Sequence, residues 1–262
     1  MTKKKHHYVP RMLLKRFAFC EDKKNKKYSI YMYDKDSCAT RKVDIFDTAR
    51  KNNLYKVTES NIVVNPDCVE DNLSVIERIA DKVIDKITKS ENLEQQDISI
   101  MLSFIVLQFL RSKENFDIEM NIMKETFPQL PQERLKTILL SNLILGGKGE
   151  VSKIQESFLK MLSENRHLTI FKSKIPFLIS DNPVLLEKMF EDFGDWQFFL
   201  PISPYFCLTT LPNEEPLFEY KSISNNIVTL LNKEAEKRGR YIYSNNKYLL
   251  KAVEQQTKRT TK

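Results

Sequence analysis

One stretch limits the architecture more than any other. Residues 98 to 110 read Ile-Ser-Ile-Met-Leu-Ser-Phe-Ile-Val-Leu-Gln-Phe-Leu. Asp97 can cap a helix at this point, and the spacing predicts one over residues 98 to about 115. Apolar side chains cover almost every side of it, so it must be surrounded by other elements. Ser99, Ser103 and Gln108 interrupt the run, and it is too short to span a membrane. In a helix this buried, the polar residues carry the information. Gln108 and Arg111 lie three apart and share a face. A guanidinium at the end of a buried helix demands a carboxylate or a bound anion.

The segment before it supplies a carboxylate. From Asp67 onward, Val69, Leu73, Ile76, Ala80, Val83 and Ile87 recur at helical spacing, and Glu77 sits at the margin of that stripe. Glu77 by itself reads as a boundary glutamate paired to a surface lysine, with a site carboxylate as the sharper reading; for Arg111 two readings stand level, a structural Glu77–Arg111 pair or an arginine that binds an anion.

The flanking segments alternate differently. A helix is expected after Pro10, burying Met12, Leu13, Leu14 and Phe17. Strands are expected at 28–33, 40–46 and 53–57, and the tyrosines at 28, 31 and 33 read as sheet packing. Further helices are expected over 117–165, broken by Pro128, Pro131 and the Gly146–Gly149 cluster. Strands follow at 167–171, 175–179, 197–204 and 205–210. A helix at 223–237, a strand at 241–243 and a helix at 247–255 close the chain, with a frayed tail from Gln256. This order predicts a single α+β domain over residues 1–262. Its sheet is mixed or antiparallel, and a helical block at about 68–165 separates two β-containing portions.

Composition narrows the chemistry. Five glycines leave no G-x-x-x-x-G-K-[ST] phosphate loop. Cys20, Cys38, Cys68 and Cys207 have no C-x-x-C spacing, so a structural zinc site is not expected. The first thirty residues lack the apolar core of a signal peptide, and no apolar run reaches membrane length. A cytoplasmic protein with free thiols is expected. The net charge of +7 favours a polyanionic partner, nucleic acid or nucleotide, although the lysines are scattered along the chain.

Two motifs carry candidate chemistry. Lys3-Lys-Lys-His-His-Tyr-Val-Pro-Arg11 holds two of the three histidines. It reads as a basic lead into the first helix, as an anion site with Tyr8 for stacking, or as a catalytic site with His6 or His7 as acid/base. Adjacent residues of an extended segment point opposite ways, so only one of the two histidines is expected to face a site. The second motif, Ser180-Asp181-Asn182-Pro183, ends an apolar strand. A plain turn explains it, since Asp and Asn bond their own backbone and Pro favours an extended predecessor. The sharper reading makes Asp181 a metal ligand or catalytic carboxylate.

Several marks fall in order along the chain. They are His6-His7-Tyr8-Val9-Pro10, Tyr31-Met-Tyr33-Asp34, Glu70 with Glu77, and Gln108-Phe-Leu-Arg111. Ile179-Ser-Asp-Asn-Pro183, Leu200-Pro-Ile-Ser-Pro204 and Leu231-Asn232 leading to Arg240-Tyr-Ile-Tyr243 complete the series. The series resembles a bacterial family described only as domain of unknown function 4238. That resemblance brings no chemistry, but it points to His6, His7, Glu77, Arg111, Ser180, Asp181, Asn182 and Asn232 as residues that converge. Tyr8 and Gln108 join them as substrate-binding candidates. The resulting expectation is a hydrolase acting on nucleic acid, RNA favoured, in a toxin or defence role. A histidine would be base or metal ligand, and Glu77 and Asp181 would hold a divalent ion or move protons. Arg111 would stabilise charge on phosphate. The alternative is a non-catalytic module that binds a nucleotide or another anionic ligand.

Overall fold

The computed structural model describes residues 5–57, 65–144, 166–187, 197–212 and 218–260. The first portion runs β1 (Lys5–His7), α1 (Arg11–Arg16), β2 (Phe19–Asp22), β3 (Lys27–Asp34), β4 (Ala39–Asp44) and β5 (Arg50–Asn52). The helical block follows with α2 (Cys68–Thr88), α3 (Gln95–Leu110), α4 (Lys113–Thr126) and α5 (Gln132–Ile144). The last portion runs β6 (Arg166–Lys172), β7 (Ile179–Ser180), β8 (Leu185–Glu187), β9 (Gln197–Ser203), β10 (Phe206–Pro212) and β11 (Phe218–Ser222). It closes with α6 (Asn225–Arg238), β12 (Tyr241–Ser244) and α7 (Lys247–Thr260). The fold is α+β, with the helical block between two β-containing portions.

The apolar helix α3 is buried as its composition requires. Met101, Phe104, Ile105 and Val106 lie in one core with residues of α1, α2 and the sheets. Phe109 meets Phe198 of β9 edge to face at 5.5 Å. Its ends differ from the spacing-based expectation. Asp97 is not the cap but lies one turn in, accepting the Glu94 N–H at 3.0 Å and holding Lys86 of α2 at 2.8 Å. The helix stops at Leu110, not near 115. Ser112 caps a new helix by accepting the Asn115 N–H at 3.4 Å, while Asn115 Nδ2 donates to the Phe109 carbonyl at 2.6 Å. Arg111 is left at the joint, its own side chain buried.

Three sheets surround this block. β1 and β5 form an antiparallel pair. The strand expected at 53–57 is displaced to Arg50–Asn52, because the chain turns at Asn53, which has a φ of 54°. In the second sheet β4 covers one edge of β3, while β2 and β12 share the other edge and β7 pairs beyond β12. The third sheet has the order β11-β6-β10-β9-β8, antiparallel except for the parallel β11–β6 pair.

Two other expectations change. The strand at 175–179 shrinks to Ile179–Ser180, because Pro176 has no N–H and Asn232 of α6 takes the neighbouring groups. Asn232 Oδ1 accepts the Leu178 N–H at 2.8 Å, and its Nδ2 donates to the Pro176 carbonyl at 3.1 Å. The frayed tail from Gln256 is instead the end of α7, whose Leu250 and Val253 are buried against the second sheet. Of the helices expected over 117–165, the part at 145–165 lies outside the described residues.

Candidate active site

The period-2 alternation of β1 decides what its histidines do. His6 points inward and is fully buried. Its Nδ1 accepts the Tyr55 N–H at 2.9 Å, and its ring stacks on Tyr55 at 5.9 Å between centroids. An acceptor Nδ1 fixes the neutral ring with its proton on Nε2. His6 therefore positions the turn after β5 and lines none of the three cavities described below.

Arg111 and Gln108 hold the backbone that follows. Arg111 donates from one terminal nitrogen to Glu77 Oε1 at 2.8 Å, from the other to the His7 carbonyl at 3.1 Å, and from Nε to the Tyr8 carbonyl at 3.5 Å. Gln108 Nε2 donates to the same Tyr8 carbonyl at 2.8 Å. Only 1% of Arg111 is exposed, and its fork is turned to protein groups. The pair anticipated between Glu77 and Arg111 is present. The guanidinium clamps residues 7 and 8 to α2 and α3, and an anion has no open route to it.

His7 faces outward into a cavity of about 600 Å³ with Arg11, Phe46, Glu70, Glu77 and Arg78. Burial, reinforced by Arg11, pushes the His7 pKa down to about 4, so the ring is neutral at neutral pH. The Arg11 guanidinium lies 3.7 Å over the half-exposed Phe46 ring.

The Ser-Asp-Asn-Pro turn opens a different and larger cavity, of about 700 Å³. Ser180, fully buried, donates its hydroxyl proton to the Asn182 carbonyl at 2.7 Å and accepts the Asn182 N–H at 3.2 Å, which closes the turn. β12 pins it from the other side. The Asp181 N–H reaches the Tyr241 carbonyl at 2.9 Å, and Asp181 Oδ1 accepts the Tyr241 N–H at 3.1 Å. Gly239 allows this approach: a Cβ there would lie 2.5 Å from Ser180 Cβ and 2.9 Å from Ser180 Oγ. Burial raises the Asp181 carboxyl to about 6, against hydrogen bonds from the Tyr241 and Arg240 backbone that favour the charged form. Burial likewise raises the Tyr8 phenol, so it stays protonated as a donor. Asn182 Nδ2 donates to Glu114 of α4 at 2.6 Å.

Arg41, Arg50, Lys51, Lys113, Arg238 and Arg240 line this cavity, with Asp47, Glu114, Asp117 and Asp181 as its carboxylates. Arg50 pairs with Asp47 at 2.6 Å and Lys113 with Asp117 at 2.6 Å. Arg240 pairs with Asp36 at 2.8 Å and lies 4.8 Å over the Tyr241 ring. Arg41 and Lys51 have no carboxylate partner among the described residues and stand at the exposed rim.

The expected residues therefore divide. Tyr8, Asp181 and Asn182 line the larger cavity, with Ser180 behind them. His7 and Glu77 line the smaller one, and Asp47 belongs to both walls. Asn232 lines a third hollow of about 370 Å³, where its amide braces the chain before β7. Among the described residues no three His, Cys, Asp or Glu side chains stand close enough to share a metal ion, and Glu77 and Asp181 line separate cavities. Glu114, Gly239, Arg240 and Tyr241 belong to the site without having been singled out for it. The Gly after α6 and the Arg240-Tyr-Ile-Tyr243 run carried a signal; Glu114 is an ordinary acid in the first turn of a helix and carried none.

Among the described residues, no helix is long and apolar enough to cross a membrane. No curated protein and no solved structure matches the chain. The model of a family described as "Protein of unknown function (DUF4238)" matches residues 5–248, and the chain belongs to that family.

Proposed function

We propose that the protein is a hydrolase acting on nucleic acid, RNA favoured, with its chemistry in the cavity at the Ser-Asp-Asn-Pro turn. The observation that carries this reading is Asp181, a half-buried carboxylate with a pKa of about 6 in a cavity lined by six arginine and lysine side chains. An acid/base group works best with a pKa near the working pH, and cations hold phosphate and stabilise charge developing on it. RNA suits this set because it carries its own nucleophile. Asp181 takes the proton of a ribose 2′-hydroxyl as that oxygen bonds to the adjacent phosphorus. The bond from phosphorus to the 5′-oxygen breaks, and the leaving oxygen takes a proton from the Tyr8 phenol or from water. Water then opens the cyclic phosphate. DNA lacks the 2′-hydroxyl and cannot follow this route.

A second reading, a non-catalytic module for a nucleotide or another anionic ligand, is favoured by one observation. His7 and Glu77 open into a separate cavity from Asp181, so the candidate proton-transfer groups do not meet. Matched end-labelled RNA and DNA strands separate the two readings. The hydrolase reading expects RNA to be cut, DNA to survive, and Asp181→Asn to lose about a hundredfold or more of the rate while remaining folded. Intact RNA with folded wild-type protein, or full activity in the variant, overturns it. Expression in bacteria reads the toxin or defence role, as growth arrest with loss of RNA that Asp181→Asn abolishes.

A further inference from the structure

We infer that Arg11 and Phe46, in the cavity beside His7, form a second nucleic-acid contact, stacking a base of the single strand whose reacting phosphate lies at Asp181. This rests on the nucleic-acid reading and extends it from one cavity to a path across the turn between β4 and β5. That turn is the wall between the two cavities. Phe46 and Asp47 line the smaller one, and Asp47 to Lys51 line the larger. A strand that leaves the larger cavity past Asp47 enters the smaller.

The turn is a fixed support. Ile45, Thr48 and Ala49 are buried, and the Thr48 hydroxyl shares a hydrogen bond with the Tyr243 hydroxyl at 3.0 Å. The Asp44 carboxylate accepts the Phe46 N–H at 2.8 Å. Between these anchors the Phe46 ring is 50% exposed. An exposed apolar side chain is ordinary by itself. This one is held on an anchored turn, lines a cavity, and carries the exposed Arg11 guanidinium 3.7 Å over its ring. Bases stack on aromatic rings and on guanidinium planes alike, and the pair offers both. The charges agree. Arg11 and Arg78 line the cavity, are exposed, and have no carboxylate partner among the described residues. Of the carboxylates there, Asp47 is held by Arg50 at 2.6 Å, Glu77 by Arg111 at 2.8 Å, and Asp81 by Arg16, with Glu70 the fourth. A phosphate next to the stacked base therefore meets the two guanidiniums.

The test is fluorescence anisotropy of the intact protein with a labelled 2′-O-methyl RNA octamer, which lacks the attacking hydroxyl and stays whole. Unlabelled 2′-O-methyl strands of two to eight nucleotides compete with it. Affinity is expected to rise in a step once the competitor is long enough to reach Phe46, for adenine and uracil strands alike, because stacking tolerates any base. Phe46→Ala and Phe46→Leu should each remove the step and weaken the octamer about tenfold at an unchanged melting temperature, while Phe46→Tyr keeps it. Affinity that grows smoothly with length overturns the inference and leaves the nucleic-acid reading standing. So does a Phe46→Leu variant that binds as tightly as the wild type, or one that weakens dinucleotide and octamer equally. An octamer that does not bind the folded protein overturns it too, and if RNA is also left uncut the nucleic-acid reading falls with it.

Discussion

Burial lifts the Asp181 carboxyl from 3.8 to about 6 and lowers the His7 imidazole from 6.5 to about 4, and the two give opposite pH signatures. Between pH 4 and 6 the native protein holds a proton on Asp181 that the unfolded chain has released. The stability from that group is complete below about 4 and is lost as pH rises through 6. At pH 7.5 the ionised carboxylate is thus a cost of roughly 2–3 kcal/mol at about 1.4 kcal/mol per pKa unit. Asp181→Asn should raise stability by up to about 2 kcal/mol at pH 7.5, with the gain fading towards pH 4, while activity falls. Denaturant titrations of both proteins across pH check this. His7 works the other way. Its neutral, half-buried ring contributes stability above pH 6.5 that is lost as pH falls towards 4. His7→Gln should flatten the acid side of the stability curve and leave the alkaline side nearly unchanged; the same titrations read it.

Two joints between elements hold the candidate cavities in shape. At the end of α3, Arg111 ties α2 to the backbone of residues 7 and 8. Removing Glu77 strands a buried guanidinium, so Glu77→Ala should cost about 2–4 kcal/mol in a chemical denaturation curve. After α6, Gly239 lets β12 lie against the turn at Ser180. Gly239→Ala should lower the melting temperature and reduce RNA cleavage more than RNA binding, since it displaces Asp181 and leaves Arg41 and Lys51 in place. The sequence announces parts of both joints. The apolar run of α3 isolates Gln108 and Arg111, and Glu77 sits at the margin of the preceding stripe, so period marks the three residues, while the contact at 2.8 Å decides for the pair over an anion. The fate of His6 and His7 is half legible: alternation says that they diverge, but burial of His6 depends on β1 pairing with β5, a contact 45 residues away in register. Glu114 and Asn232 are opaque for the same reason. One joins the site and the other leaves it through tertiary contacts with Asn182 and Leu178 that no local spacing encodes. The end of α3 is missed because Ser112 and Asn115, unremarkable in a helical pattern, cap in opposite directions.

For the molecule as a whole, the helical block, the second sheet and the β1–β5 pair bring the turn after β7, the start of α4 and the rim residues of β4 and β5 to one cavity. The net charge of +7 matters there through position, because Arg41 and Lys51 remain without carboxylate partners among the described residues while Arg50, Lys113 and Arg240 have theirs. Single-stranded RNA binding should weaken with salt, and Arg41→Ala or Lys51→Ala should each reduce the log–log salt slope by about 0.7, as read by fluorescence anisotropy. The role of Asp181 as the base is tested by the pH dependence of single-turnover RNA cleavage by the wild-type protein and Asp181→Asn. With Asp181 as the base, the rate rises through about pH 6, levels off above it, and is lost in the variant at every pH. Cleavage that ignores pH between 5 and 8, or that survives in Asp181→Asn, would contradict it.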